Sequence, residues 1–377
     1  MRLPVIQYTG TEGVLDLGWG HPDPTLLPVE AWAASTSEAV PAAGWTALTY
    51  GYAAGPGQLL EWLTVHIGAI DGRAPEPAEL FVTAGASQGL ELVSSVLTRP
   101  GDVVLVDSPT YHLALRILAD RGVELRAAPT DEQGIDPAAT ARLVGDLRAE
   151  GRRVPMLYAV ATFNNPSGAS MPMPRRRELI RALEGVTIVE DDTYRELAYE
   201  GPVPASLWSL ASAGVVRLGS FSKTVAPGLR LGYLTADAAF VRRLASRGYV
   251  DSGGCVNHTS AMVLAHFATT GRYEAHVSVL RDAYRRRRDT LVTALRSAAP
   301  GVEFAVPGGG WFLWLRVPDA ASLARRALER GVGLSTGERF HVGGGGGHHL
   351  RASFSMYSPA DLEEAAHRFA QALPPPP

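Results

Sequence analysis

The segment with the most chemical content is Leu218-Gly219-Ser220-Phe221-Ser222-Lys223-Thr224, closed by Pro227-Gly228-Leu229-Arg230. An apolar run ends in a turn that carries two hydroxyls, a lysine and then an arginine. A lysine at a strand end forms an imine with a carbonyl compound if burial or a cationic neighbour lowers its pKa. Ser220, Ser222 and Arg230 together offer donors for a phosphate dianion. A surface lysine in a polar loop is the plain alternative. Gly214 and Gly219 have the separation of a P-loop, but Ser220 stands where its lysine must be.

Val189-Glu190-Asp191-Asp192-Thr193-Tyr194 runs from apolar residues straight into three acids. Adjacent carboxylates at a strand end are costly unless they meet a cation or a metal. A pyridinium nitrogen would serve one of them; capping of a following helix is the plain alternative. Thr162-Phe163-Asn164-Asn165-Pro166-Ser167-Gly168 forms a polar turn with amide donors. Phe81-Val82-Thr83-Ala84-Gly85-Ala86-Ser87-Gln88-Gly89 enters a glycine-flanked turn ahead of an apolar helical stretch, whose N-terminal amides suit a phosphate. The same residues match G-x-S-x-G, which makes Ser87 a candidate hydrolase nucleophile. That reading lacks an upstream His-Gly-Gly segment and leaves Lys223 and Asp191 unexplained.

The elements that must position these residues alternate. Strands are expected at 80–83, 102–106, 155–160, 186–190, 215–219 and 231–234, with helices at 58–67, 90–97, 113–121 and 175–183 between several of them. Short apolar strands alternating with helices imply a mainly parallel sheet covered on both faces, with the ligand beyond the C-terminal strand ends. From about residue 260 the texture changes to a long helix at 273–297, strands at 311–317 and 350–355, and helices at 322–330 and 359–372. Residues 1–40, punctuated by Pro4, Pro22, Pro24 and Pro28, read as an extended arm, with Pro41 just beyond. The expected division is arm 1–40, large domain 41–259 and small α+β domain 260–377.

The 377 residues carry a net charge of -3, which gives no bulk attraction to nucleic acid or anionic membranes. No stretch approaches the roughly 18 apolar residues that span a bilayer. The single cysteine, Cys255, excludes an internal disulfide and fits a reducing cytoplasm; it is expected to be buried. Arg285–Arg288 reads as a solvated helix face. No metal site is expected: His348 and His349 are adjacent and poorly spaced for a tetrahedral ion. The tail Pro374–Pro377 is expected to be disordered.

Taken together and in this order, the motifs resemble the fold-type I enzymes dependent on pyridoxal 5'-phosphate (PLP), in particular the class I/II aminotransferases. The resemblance runs from Asp16 to the terminal helix. It implies a three-layer α/β/α domain plus a smaller α+β domain. It implies that Lys223 carries the cofactor as an internal aldimine, and that Ala86, Ser87, Ser220, Ser222 and Arg230 surround its phosphate. Asp191 then pairs with the pyridine nitrogen, Asn165 and Tyr194 with the phenolic oxygen, and Tyr111 stacks on the ring. Arg351, in Leu350-Arg351-Ala352-Ser353-Phe354-Ser355, grips the substrate α-carboxylate. Asn165 and Gly20 border the substrate. Tyr50, in Leu48-Thr49-Tyr50-Gly51, reaches the partner's phosphate in a homodimer.

The expected activity is amino transfer between an α-amino acid and a 2-oxo acid. Pro307-Gly308-Gly309-Gly310-Trp311-Phe312 departs from the commoner Pro-Glu-Gly-Gly-Met-Phe, and Ala161 stands where proline is frequent. Trp311, by itself a core residue of a strand, thereby becomes a candidate for the active-site wall. Elimination, replacement or cyclisation, including of S-adenosylmethionine, is the alternative that the same scaffold supports. A fused transcription regulator is disfavoured, since only about 40 residues precede the large domain.

Overall fold

The computed structural model describes residues 5–374 except Thr9, Ser212 and Cys255. The expectations for Cys255 and for most of the proline tail therefore lie outside the described residues. Seven strands form the central sheet: β1 (Leu80–Thr83), β2 (Val103–Val106), β3 (Glu124–Ala127), β4 (Met156–Ala159), β5 (Thr187–Asp191), β6 (Val215–Ser220) and β7 (Gly232–Thr235). Their order is β1-β7-β6-β5-β4-β2-β3. Only β7 runs against its neighbours. The C-terminal ends of the other six therefore share one edge. Strands β1, β2, β4 and β6 are buried at every position, as mainly apolar strands covered on both faces must be, with Arg217 in β6 buried through its ion pairs to Asp192 and Asp71.

A second sheet holds β8 (Phe312–Arg316), β9 (Ser335–Thr336) and β10 (His349–Ser353), with β10 in the middle and all pairs antiparallel. Two apolar cores result. One includes the central sheet, Leu60, Phe221 and Tyr273; the other includes Leu17, Phe163, Tyr194, Trp311, Phe312, Leu350 and Phe369. The helix Arg272–Ala298 contributes to both: Tyr273 and Val277 to the first, Leu280, Tyr284 and Leu291 to the second.

Two expectations are corrected. The 1–40 segment is not extended throughout: Val29–Ala43 is a helix that begins after Pro28 and includes Pro41. Proline in the last turn costs one helix hydrogen bond. Packing offsets this, with Ser35 and Ala39 buried and Trp32 6.0 Å from Phe267. Nor are all of Arg285–Arg288 solvated. Arg287 and Arg288 are buried on the core side, where they donate to the carbonyls of Ser355 and Pro307 at 2.6 and 2.8 Å. Edge strand β3 and helix Pro137–Ala149 had no clear sequence signal. β3 alternates poorly and is half exposed, and the helix is polar over much of its surface.

Candidate active site

The central sheet delivers nearly all the candidate residues from one edge. Lys223 lies three residues beyond β6, Asp191 ends β5, Asn165 follows β4, Tyr111 follows β2, and Ala86 follows β1. This is the crevice where open parallel sheets bind ligands.

The three acids separate by strand alternation. Glu190 and Asp192 turn into a buried ionic network, while Asp191 takes the opposite face. Asp192 accepts from Arg217 Nε at 2.8 Å and from Arg195 Nε at 2.5 Å. Glu190 accepts the backbone N–H groups of Leu207 and Trp208 at 3.0 and 3.1 Å. Asp191 is held differently: the Tyr158 hydroxyl donates to its Oδ2 at 2.7 Å, and the Thr193 hydroxyl and N–H donate to its Oδ1. Burial raises the Asp191 pKa against the lowering effect of those donors. The register of β5 turns Asp191, the acid that the resemblance singles out, away from that ionic network.

Lys223 lies with its Nζ 4.5 Å above the Trp311 ring and 5.9 Å from the Tyr194 ring. Its pKa is lowered to about 8, chiefly by burial, with Asp191 opposing and Arg351 and Arg230 adding to the fall. Trp311 is fully buried and stands edge-on to Tyr194 at 5.7 Å. Tyr194 in turn meets Phe312 at 5.9 Å. Phe312 carries the Arg351 guanidinium 4.2 Å above its ring, with Phe340 4.7 Å from the same group. The aromatic row Trp311, Tyr194, Phe312 thus links the two cations.

Arg351, on β10, is buried. Its Nη1 donates to Asn165 Oδ1 at 2.7 Å and its Nη2 to the Gly18 carbonyl at 2.5 Å. Two residues 186 apart in sequence are thereby fixed together. Burial lowers the Arg351 pKa to about 10. Gly20 adjoins this group: a Cβ there would lie 2.7 Å from Phe312 Cζ. Asn164 organises the Asn165 turn. Its Nδ2 donates to Asp107 Oδ2 at 3.1 Å, and its Oδ1 accepts from the Ser167 N–H and hydroxyl at 3.1 and 3.0 Å. Asn164 and Phe312, though inside the motif segments, and Asp107 and Phe340 were given no role in the sequence, because their partners lie far away along the chain.

The phosphate-type turn is built around Gly85, whose φ of 84° caps the helix Ala86–Leu97. A Cβ at Gly85 would lie 2.8 Å from Arg230 Nη2. Only glycine lets that guanidinium approach the helix start. Arg230, at φ 50°, donates to the carbonyls of Ala84 and Pro227, both at 3.2 Å. Ser220 Oγ accepts the Ser222 N–H at 3.2 Å, which folds the Lys223 turn. Ser87 is exposed in the first turn of the helix, and among the described residues no histidine hydrogen-bonds to it. Tyr111 caps the next helix, with its ring 5.6 Å from His112. Tyr50 stands apart, 83% exposed.

These residues fit a phosphorylated pyridine aldehyde. The helix start and Arg230 suit the phosphate, the oriented Asp191 carboxylate suits a ring N–H, and Lys223 offers a low-pKa amine for the aldehyde. Among the described residues no group of His, Cys, Asp and Glu is arranged to hold a metal ion, and no helix is long and apolar enough to cross a membrane.

Residues 12–369 match the family model described as aminotransferase class I and II. The chain is 30% identical to aromatic-amino-acid aminotransferase 1 of Thermococcus litoralis, over 98% of this chain and 90% of that one. It is 31% identical to the 2-aminoadipate transaminase of Thermus thermophilus, over 98% and 92%. The crystal structure of Pyrococcus horikoshii kynurenine aminotransferase superposes with a TM-score of 0.89 at 30% identity, covering 96% of this chain and 91% of that one. The chain belongs to the class I and II aminotransferase family, with the fold type I architecture. It is a pyridoxal-phosphate-dependent transferase. Ser87 as a hydrolase nucleophile falls with this placement.

Proposed function

We propose that this enzyme moves an amino group from an α-amino acid to a 2-oxo acid, with Lys223 as the residue covalently joined to the cofactor. The observation that carries the reading is the Arg351–Asn165 pair, linked through Phe312, Tyr194 and Trp311 to the Lys223 amine.

When bound, pyridoxal phosphate supplies an electron sink for the pair of electrons left at the substrate's α-carbon. Arg230, Ser220, Ser222 and the helix start at Ala86–Ser87 would hold its phosphate. Asp191 would hold the proton on the ring nitrogen, Asn165 and Tyr194 would bond the phenolic oxygen, and Tyr111 would cover the ring. Arg351 binds the substrate carboxylate as a planar fork. Asn165 and Gly20 border the substrate. A pKa of about 8 leaves part of the Lys223 amine neutral near physiological pH, so its Nζ can accept the α-proton and return it to a neighbouring carbon.

We further propose a cytoplasmic homodimer in which Tyr50 reaches the partner's phosphate site. An exposed apolar stretch supports this: Trp45, Leu48, Tyr50 and Tyr52 are each more than 70% exposed. The division into arm 1–40, large domain 41–259 and small domain 260–377 is likewise a proposal. The pairing of Leu15–Asp16 with Val332–Gly333 supports attaching the arm to the small domain.

The test is a panel of amino acids, including S-adenosylmethionine, offered with several 2-oxo acids. Product masses and the aminated cofactor are followed together. Amino transfer gives a new amino acid and a 2-oxo acid from the donor. Loss of a side-chain leaving group without the aminated cofactor would overturn the reading in favour of elimination, replacement or cyclisation.

A further inference from the structure

We propose that Trp311 is a positioning residue whose indole face holds the Lys223 ammonium as a cation–π platform. This rests on Lys223 being the cofactor lysine. Its Nζ lies 4.5 Å from the Trp311 ring centroid, inside the range of such contacts. The Tyr194 ring, at 5.9 Å, is only at the edge of that range.

The plain alternative is that Trp311 fills space. It is fully buried, with Tyr194 at 5.7 Å and Tyr284 at 5.4 Å, both edge-on. Filling alone does not account for an indole. Among the described residues, Trp311 Nε1 is buried with no hydrogen-bond partner. Burying an unpaired N–H is costly, and phenylalanine or methionine would fill the place without it. Indole, however, presents the strongest π face of the side chains. Trp311 also immediately precedes Phe312, so the same short segment seats Lys223 on one ring and Arg351 on the next.

A platform of this kind has a definite electrostatic effect. The groups acting on the amine are Asp191, which favours the cation, and Arg351 and Arg230, which oppose it. His21 is also an electrostatic neighbour, with its own pKa lowered by burial and by Lys223. A π face adds to the side of Asp191. It gives the amine, when not bonded to the cofactor, a fixed resting position and keeps it protonated to higher pH than burial alone would allow.

The experiment uses cofactor-free full-length protein. The rate of Lys223 acylation by an amine-reactive anhydride is followed against pH, and the Lys223 peptide is quantified by mass spectrometry. Trp311→Leu keeps apolar bulk but loses the face, and the Lys223 pKa is expected to fall by about 0.4 to 1.5 units. Trp311→Phe should keep most of the wild-type value. Fluorinated tryptophan, which weakens the face without changing shape, should lower the pKa in the wild-type chain but not in Trp311→Phe. Equal shifts in both variants, no shift, or a rise in Trp311→Leu would overturn the proposal. Should Trp311→Leu fail to fold, the fluorinated comparison decides alone. A failure of Lys223 as the cofactor lysine is read separately, as no borohydride-trapped cofactor on Lys223, the chain's only lysine, while the Trp311 effect persists.

Discussion

Arg351→Lys tests the substrate-binding half of the account. The native guanidinium is fixed by Asn165 Oδ1 at 2.7 Å and the Gly18 carbonyl at 2.5 Å, and held between Phe312 at 4.2 Å and Phe340 at 4.7 Å. It is therefore preorganised before a carboxylate arrives. Lysine keeps the positive charge but loses the planar fork and most of its stacking. At least one charge-assisted hydrogen bond is lost, worth about 1.5–3 kcal/mol. That corresponds to a fall in kcat/KM of about 10- to 150-fold. The assay is single-turnover conversion of the cofactor to its aminated form, followed by absorbance. The control is the matching amine without its α-carboxylate, for which the variant should differ from wild type by less than about threefold. Equal losses for the amino acid and the amine would refute the carboxylate role. So would full activity of Arg351→Lys with the amino acid.

Two further outcomes follow from the geometry. Gly85→Ala places a Cβ 2.8 Å from Arg230 Nη2 on a residue at φ 84° and ψ 166°, a region essentially restricted to glycine, so the backbone alone costs about 1–3 kcal/mol. Cofactor affinity measured by equilibrium dialysis should fall about tenfold or more, and unchanged affinity would count against the phosphate turn. Burial pushes the Asp107 carboxyl up to about 7, over the opposing bonds from Val160, Ser108 and Asn164. A folded pKa above the unfolded one means proton uptake on folding, so this group's contribution to stability falls as pH rises from about 4 through 7. Relative to Asp107→Asn, the wild type should lose stability between pH 5 and 8 in denaturant titrations, with a slope of at most about 1.4 kcal/mol per pH unit. A relative gain over that range would contradict the assignment.

Much of the architecture was legible because strand and helix periods differ and the strands are short apolar runs. β1 falls on the expected residues, and the ends of β2, β4, β5, β6 and β7 shift by one residue or so. What escaped was set by tertiary contact. The Val29–Ala43 helix carries Pro41 because packing against His258–Thr269 offsets the lost bond. Arg287 and Arg288 are buried because carbonyls of distant loops meet them. In the site, Lys223, Asn165 and Arg230 announced themselves through motif spacing. Asp191 was singled out by the resemblance, but its physical reason, the register of β5, and the Arg351–Asn165 bond between β10 and the loop after β4 are not written in local sequence.

The central claim is tested most directly by borohydride reduction of the cofactor-loaded protein, followed by peptide mass spectrometry. The account predicts a single phosphopyridoxyl adduct on Lys223, and no reducible cofactor absorbance in Lys223→Ala. Lys223 is the chain's only lysine, so an absence of any adduct on it, an adduct at the N-terminal amine instead, or reducible absorbance that survives in Lys223→Ala would contradict the account.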